Sequence, residues 1–470
     1  MAKKLIMAVV DGLGPELLDS TVEAGRAPTL DWLAGEGWRT NSCVSTFPSL
    51  TPVCLSALVT GRHPAGSLIP SMTWYHRGQG RFVEYGSSIA ATLAEGTRQM
   101  VDDVLVNLNL LHLSPRVRTV FEALDDAGLD TAAVNTYVIR GRTRHPITRP
   151  AARRVARSIG IVDAVYGPKR YFLGDLFFSD RTGAPLNLGG GIDRHGGHVA
   201  RWLVTRDGFD FLFFYLYETD AAQHRGGDAQ AAVAGADRGL ELLVEAAGGR
   251  SRFLERYAVI VVADHSQSRV TDPADASEPF AGYRLFRGSR RSDPADCQLA
   301  VAASNRAAMV YRLADDSPPP ARLAGLALES AAADVVCYLE DEWFVARRGP
   351  GLLRFRRGGG EADRRGNRFQ LQGDRDLLPD QVYPNALERI EGILDCPQAG
   401  EVVVSAAPGY EFADSGGVHH AGGGSHGSLR AEDSLVPLIL AGFEGGRPAL
   451  PEQPSITDLT PLTCRHFGVR

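Results

Sequence analysis

The chain has 470 residues, 44% hydrophobic and 23% charged, with a net charge of −6. That balance belongs to a folded globular protein and excludes a disordered one, and the acidic excess argues against a nucleic-acid polymer as partner, which needs a basic face. The length allows two to four domains, or one large core with an insertion.

Leu5–Val10 is a short, wholly apolar run, as expected of a strand buried on both faces, and it ends at Asp11-Gly12. The run is too short for a signal-peptide core or a membrane span, and no later stretch reaches roughly 18 apolar residues. Six scattered cysteines (Cys43, Cys54, Cys297, Cys337, Cys396, Cys464) without CxxC spacing fit neither a disulfide scaffold nor a zinc ribbon. The expectation is a cytoplasmic, reducing address with no membrane partner.

A helical stretch carrying Leu17, Leu18 and Val22 follows and breaks at Ala27-Pro28, and Thr29–Glu36 reads as another short helix. Residues 47–61 read as a loop and then an apolar helix beginning near Pro52, because proline fits the first helical turn. Val117–Ala127 has amphipathic helical spacing closed by Gly128, and Thr131–Val138 is strand-like. Phe209–Tyr217 is a second clear strand, ending at Glu218-Thr219-Asp220, and Ala229–Ala247 reads as a long helix. Tyr257–Val262 is a third strand, ending at Ala263-Asp264-His265. This alternation predicts a mostly parallel sheet.

From about 275 to 405 the texture changes: arginine clusters, Pro318-Pro319-Pro320 and Gly358-Gly359-Gly360 separate short elements, and Arg347–Arg357 reads as a hairpin. The expected organisation is a core of 1–274 and 406–470 with an inserted smaller α+β cap of 275–405. The α/β grammar resumes at Glu401–Ser405, and Ser434–Ala441 is a last apolar strand.

Three apolar strands thus end in an aspartate: Asp11, Asp220 and Asp264. Ligands of open α/β sheets bind beyond the carboxyl ends of the strands, and carboxylates gathered there repel one another unless a cation joins them. His265 follows Asp264, His224 lies four residues after Asp220, and His426 sits in a glycine-rich loop, GGGSHGS. Together they form an Asp and His set suited to zinc or manganese. A dinucleotide site is excluded, because Asp11-Gly12-Leu13-Gly14 lacks GxGxxG.

These residues resemble the alkaline phosphatase superfamily, and most closely its type I phosphodiesterase/nucleotide pyrophosphatase branch. The segments that carry the resemblance are MAVVDGLG with APTLDWLAGEG, FPSLTPVCLSALVTGRHP, YLYETDAAQHRGG, VIVVADHSQS and GGGSHGS with DSLVPLIL. They occur in the family's order and span the core but not the middle insert. The resemblance implies a three-layer α/β/α core with a mostly parallel central sheet. It also implies two divalent metal ions, one held by Asp220, His224 and His426, the other by Asp11, Asp264 and His265. Thr51 would be the nucleophile between them, ten residues before the Gly of VTG, with Ser49 as its rival; the alternative for Thr51 is a residue that only caps its helix. The expected activity is hydrolysis of a small anionic phosphate ester through a phospho-threonine, by a phosphodiesterase or pyrophosphatase. A phosphomonoesterase and a non-catalytic metal-binding relative are the alternatives.

Two positions depart from the branch. Pro52, after the nucleophile, has no N–H to offer. Where the branch often has an asparagine that binds a phosphoryl oxygen, this chain has Pro70-Ser71-Met72-Thr73, so Ser71 or Thr73 is the expected substitute. Trp74 and Tyr75 follow, placed either to stack on a base or sugar or to fill the core. His419 and His420 read as substrate contacts or as solvated loop residues. Arg284, Arg287, Arg290 and Arg291 read as an anion clamp or as a solvated face of the cap, which is the segment expected to shape substrate choice.

Overall fold

The computed structural model describes residues 2–146, 164–174, 191–288 and 292–469. Its central sheet has seven strands in the order Trp38–Val44, Leu435–Ala441, Tyr257–Val262, Lys4–Val10, Phe211–Leu216, Thr131–Val134 and Arg170–Phe172. The five strands from Tyr257–Val262 onward in that order run parallel, and Leu435–Ala441 lies antiparallel to both its neighbours. The middle strands are apolar at nearly every position because both faces are covered. Helices Pro15–Glu23, Pro28–Glu36, Ile192–Thr205 and Ala229–Ala246 pack together as one layer, and Thr51–Thr60, Val120–Asp126 and Leu459–His466 as the other. The result is the three-layer α/β/α core that the resemblance implies, around the mostly parallel sheet that the alternation of elements predicts.

Local chemistry fixes several ends. Thr119 and Glu122 form a capping box at the start of Val120–Asp126. Asp237, from a neighbouring helix, accepts the Thr29 and Leu30 amides at 2.9 and 2.7 Å, capping a helix whose own N-terminus begins with Pro28.

A second sheet has eight strands, in the order Leu285–Phe286, Leu299–Ser304, Ala307–Arg312, Val402–Ala406, Ala333–Glu340, Trp343–Arg348, Gly351–Ala362 and Arg368–Gly373. Apart from the first pair it is antiparallel, and the hairpin expected over Arg347–Arg357 turns at Arg348 and Gly351. The run read as the return of the core, Glu401–Ser405, lies instead in the middle of this second sheet, paired with Ala307–Arg312 and Ala333–Glu340. An apolar run records that both of its faces are covered, but not which sheet covers them. One hydrophobic cluster passes from the central strands into this sheet through Ala300, Met309, Tyr311 and Val403.

A buried ion pair also links the two sheets. Arg306 and Asp433, 1% and 0% exposed, meet at 2.7 Å, and Arg306 also donates to the carbonyls of Ala407 and Tyr410. Asp433→Ala leaves a buried guanidinium without its counter-charge. It is expected to cost about 3–5 kcal/mol of stability, measured by chemical denaturation.

Candidate metal centre

The strands Tyr257–Val262, Lys4–Val10 and Phe211–Leu216 are neighbours in the sheet, so Asp264, Asp11 and Asp220 arrive at one edge. Gly12 turns the chain there at φ +68°; a Cβ at this position would lie 3.1 Å from Asp220 Cα. Gly423 brings in the loop of His426 and packs so closely that a Cβ would lie 2.2 Å from the His224 carbonyl.

His265 Nε2 lies 3.4 Å from Asp11 Oδ1 and 3.6 Å from Asp264 Oδ2. On the other side, Asp220 Oδ2 is 3.3 Å from His224 Nε2, and its Oδ1 is 3.6 Å from His426 Nε2. The His265 and His426 rings stack with centroids 3.5 Å apart. Two groups of potential ligand atoms result, Asp11 with Asp264 and His265, and Asp220 with His265 and His426. The first has the membership expected for one site. In the second, His265 joins Asp220 and His426, while His224 stands on the other oxygen of Asp220.

The donor set fits divalent cations. Each histidine has Nδ1 held by a backbone carbonyl: His224 by Gly424 at 2.8 Å, His265 by Ser266 at 3.2 Å, His426 by Ser49 at 2.7 Å. An imidazole that donates from Nδ1 presents the Nε2 lone pair, and such a carbonyl also fixes the ring's orientation. The carboxylates are likewise half-committed. Tyr215 donates to Asp11 Oδ2. The amides of Gly12 and His265 donate to Asp264 Oδ1 at 3.3 and 3.0 Å. Asp11 Oδ1 and Asp264 Oδ2 are buried without a hydrogen-bond partner among the described residues. Burial, followed by the charges of Asp220 and Asp264, pushes the Asp11 carboxyl well above its ordinary range. Burial raises Asp264 as well. Burial also opposes ionisation of Asp220, but His224, His426 and His265 outweigh it and hold that carboxyl below its ordinary range. Positive charge between the two groups would relieve the repulsion and complete the orphaned oxygens.

Thr51 is the first residue of the helix Thr51–Thr60. Leu50 occupies the capping position, with no side-chain cap, so Thr51 is free of that duty. Its Oγ1 lies 3.1 Å from His265 Nε2. Ser49 is engaged elsewhere: its hydroxyl donates to Ser428 O at 3.1 Å and accepts from the Gly427 amide. Thr51 opens into a cleft of about 480 Å³ lined by Tyr137, Tyr217, Asp220, His224, Asn305 and His426, among others.

The four residues expected to bind substrate do not line this cleft. Ser71 donates to Ser304 Oγ at 3.0 Å and Thr73 to Glu84 Oε2 at 2.6 Å, both buried. Trp74 is fully buried and stacks on His76. Tyr75 packs edge-on against Phe286. They belong to a hairpin, Thr73–His76 with Arg81–Glu84, packed on the second sheet, so these aromatics are core. Of the two loop histidines, His420 lines the cleft, with Nδ1 2.7 Å from Glu411 and its ring 4.0 Å from that of His224; His419 is exposed. Arg284 bonds to the Asp296 carbonyl and Arg287 to Ser277, both outside this cleft, and Arg290 and Arg291 lie outside the described residues. Sequence reasoning missed Tyr215, Gln267, which donates to Asp220 Oδ1, and Asn305. For Asn305 the one signal is an asparagine between two apolar runs, a residue that tolerates the left-handed backbone of a turn. No helix among the described residues is long and apolar enough to cross a membrane.

Residues 5–429 match the sequence profile of the family described as type I phosphodiesterase / nucleotide pyrophosphatase. No curated protein sequence matches the chain. Among solved structures, the chain is similar to phosphonoacetate hydrolase from Sinorhizobium meliloti 1021 in complex with phosphonoformate, with 16% identity and a TM-score of 0.62 over 99% of this chain and 96% of that one. It is also similar to murine ectonucleotide pyrophosphatase/phosphodiesterase 5, with 13% identity and a TM-score of 0.57 over 100% and 96% of the two chains. An inactive variant of that murine protein in complex with AMP aligns at 14% identity, with a TM-score of 0.56 over the same shares. Because the matched profile runs from the first strand through His426, the chain belongs to the type I phosphodiesterase/nucleotide pyrophosphatase family, a family of phosphoric ester hydrolases, and it shares its fold with these solved structures.

Proposed function

We propose that this enzyme is a two-metal phosphodiesterase or nucleotide pyrophosphatase that works through a phospho-threonine at Thr51. Asp220, His224 and His426 would hold one ion, and Asp11, Asp264 and His265 the other, zinc or manganese in each. The observation that carries the reading is the Thr51 hydroxyl 3.1 Å from His265 Nε2, the ring shared by both acidic groups. Two divalent cations, when bound, supply Lewis acidity for the phosphoryl oxygens and lower the pKa of an oxygen nucleophile.

The chain's own residues do the rest. Thr51 Oγ1 gives up its proton to solvent and bonds to phosphorus as the bond from phosphorus to the leaving oxygen breaks. The leaving oxygen departs as an anion or takes a proton from water. A second water then attacks phosphorus, cleaving the phospho-threonine and leaving Oγ1 to be reprotonated. The N-terminus of the Thr51–Thr60 helix directs its positive dipole end at the phosphoryl group. Tyr215 and Gln267 lock the carboxylates of Asp11 and Asp220 in place.

An apolar rim of Met72, Ile89 and Tyr217 supports an ester with a sizeable organic arm. The AMP and phosphonoformate complexes of the similar structures support a small anionic substrate. We assign substrate choice to the 275–405 segment, whose hairpin reaches the cleft at Asn305. A panel of phosphate diesters and monoesters with Zn²⁺, Mn²⁺ and Mg²⁺ tests the reading. Diester turnover is expected to exceed monoester turnover by about tenfold or more, which is 1.4 kcal/mol of differential transition-state binding. A ratio below one would make the enzyme a phosphomonoesterase.

A further inference from the structure

The hairpin Leu299–Ser304 with Ala307–Arg312 pairs Ser304 with Ala307, leaving Asn305 and Arg306 as its tip. Asn305 adopts the left-handed conformation, φ 51°, which a side chain enters at a cost and asparagine tolerates better than most. The backbone docks this tip: Arg306 N donates to His426 O at 2.9 Å, and Asn305 O accepts from Phe412 N at 2.7 Å. Ser304 Oγ accepts from Ser71 Oγ at 3.0 Å and from the Thr73 amide at 2.9 Å. The segment expected to touch substrate thus anchors the hairpin that reaches the cleft.

The Asn305 side chain is spent on none of this docking. It is 7% exposed and lines the cleft with Thr51. Its Nδ2 donates to His426 Nε2 at 3.1 Å, since His426 Nδ1 already donates to Ser49. An amide nitrogen has two hydrogens, and the second has no acceptor among the described residues. Several other cleft donors are engaged: Tyr215 bonds to Asp11, Tyr85 to His112 and Ser87 to Asp414. Pro52 supplies no N–H beside Thr51.

We infer that Asn305 is a substrate-contacting residue whose Nδ2 amide donates to an oxygen of the transferring phosphoryl group, so that the second sheet completes the catalytic site. The inference rests on the hydrolase reading above. A ligand that engages His426 Nε2 releases the first N–H as well, which can then turn to the same oxygen. A preorganised donor of this kind is worth about 10²–10³ in kcat when removed.

The test compares Asn305→Ala, Asn305→Gly and Asn305→Asp with the wild type by kcat/KM on a diester, inhibition by orthovanadate, metal content and melting temperature. Asn305→Gly keeps the left-handed backbone without strain and so isolates the amide. All three variants are expected to keep the wild-type metal content, to lose about 10²–10³ in kcat/KM, and to bind orthovanadate at least about tenfold more weakly. Asn305→Asp is expected to be the poorest, because its carboxylate repels the phosphoryl oxygens. A metal content that falls in Asn305→Gly, with activity restored by excess metal, would overturn the inference and make Asn305 a support for His426. Unchanged orthovanadate inhibition in Asn305→Gly would overturn it too. A wild type that turns over no phosphate ester would sink the hydrolase reading itself, whereas an active wild type with an unaffected Asn305→Ala sinks only the assignment of Asn305.

Discussion

Thr51→Ala is expected to abolish ester hydrolysis, by roughly 10⁴-fold or more as for other covalent nucleophiles, while leaving the fold intact. The helix it begins does not need the hydroxyl: Leu50 occupies the capping position without a side-chain bond, and the segment from Val53 to Val59 is buried throughout. The change removes one oxygen and one methyl from a residue 8% exposed at the cleft wall, so little packing is lost. What disappears is the oxygen 3.1 Å from His265 Nε2. Thr51→Ser restores an oxygen at that place and is expected to recover most of the turnover. Rapid quenching of a diester reaction should trap phosphate on Thr51 in the wild type and none in Thr51→Ala. Wild-type rates in Thr51→Ala would refute the nucleophile assignment.

The Asp264→Ala/His265→Ala double variant is expected to carry one metal ion fewer per chain and to fall to background hydrolysis. Elemental analysis and the diester assay read the two effects. His265 belongs to both groups of potential ligands, and the buried Asp264 Oδ2 has no hydrogen-bond partner among the described residues, so their loss is expected to dismantle one site and weaken its neighbour. Stability should report the same event. Buried carboxylates that repel one another oppose folding of the metal-free chain, whereas each ion at a hundredfold excess over its Kd stabilises by about 2.7 kcal/mol. The rise in melting temperature on adding Zn²⁺ should therefore be smaller in the double variant than in the wild type. An unchanged metal count would contradict the assignment of these two residues.

Much of this was legible in the sequence, for identifiable reasons. Strands buried on both faces leave unbroken apolar runs, so Lys4–Val10, Phe211–Leu216 and Tyr257–Val262 stand out. The acidic residues that end them follow directly in the chain, and so Asp11, Asp220, Asp264 and His265 were found together. His426 was marked by its glycines, which the close approach to His224 requires. Contacts made between distant segments were hidden. Nothing in Ser71-Met72-Thr73-Trp74-Tyr75 records that Ser304 and Glu84 take its hydroxyls, or that Phe286 meets Tyr75. Tyr215 looks like any aromatic in a buried strand until Asp11 is seen beside it. Val402–Ala406 has the apolar texture of the core strands, so texture alone does not tell that it pairs within the second sheet.

The position of Val402–Ala406 bears on where a chimera of this chain can be cut. A transplant cut at 274/275 and 405/406 would sever that strand before its last residue and leave the donor's eight-stranded sheet with a foreign seam at its centre. The same stretch of backbone continues to Glu411 and then to His426, so the sheet and a candidate metal ligand travel together. A chimera built to test the proposal that this segment sets substrate choice should therefore carry its downstream junction past His426.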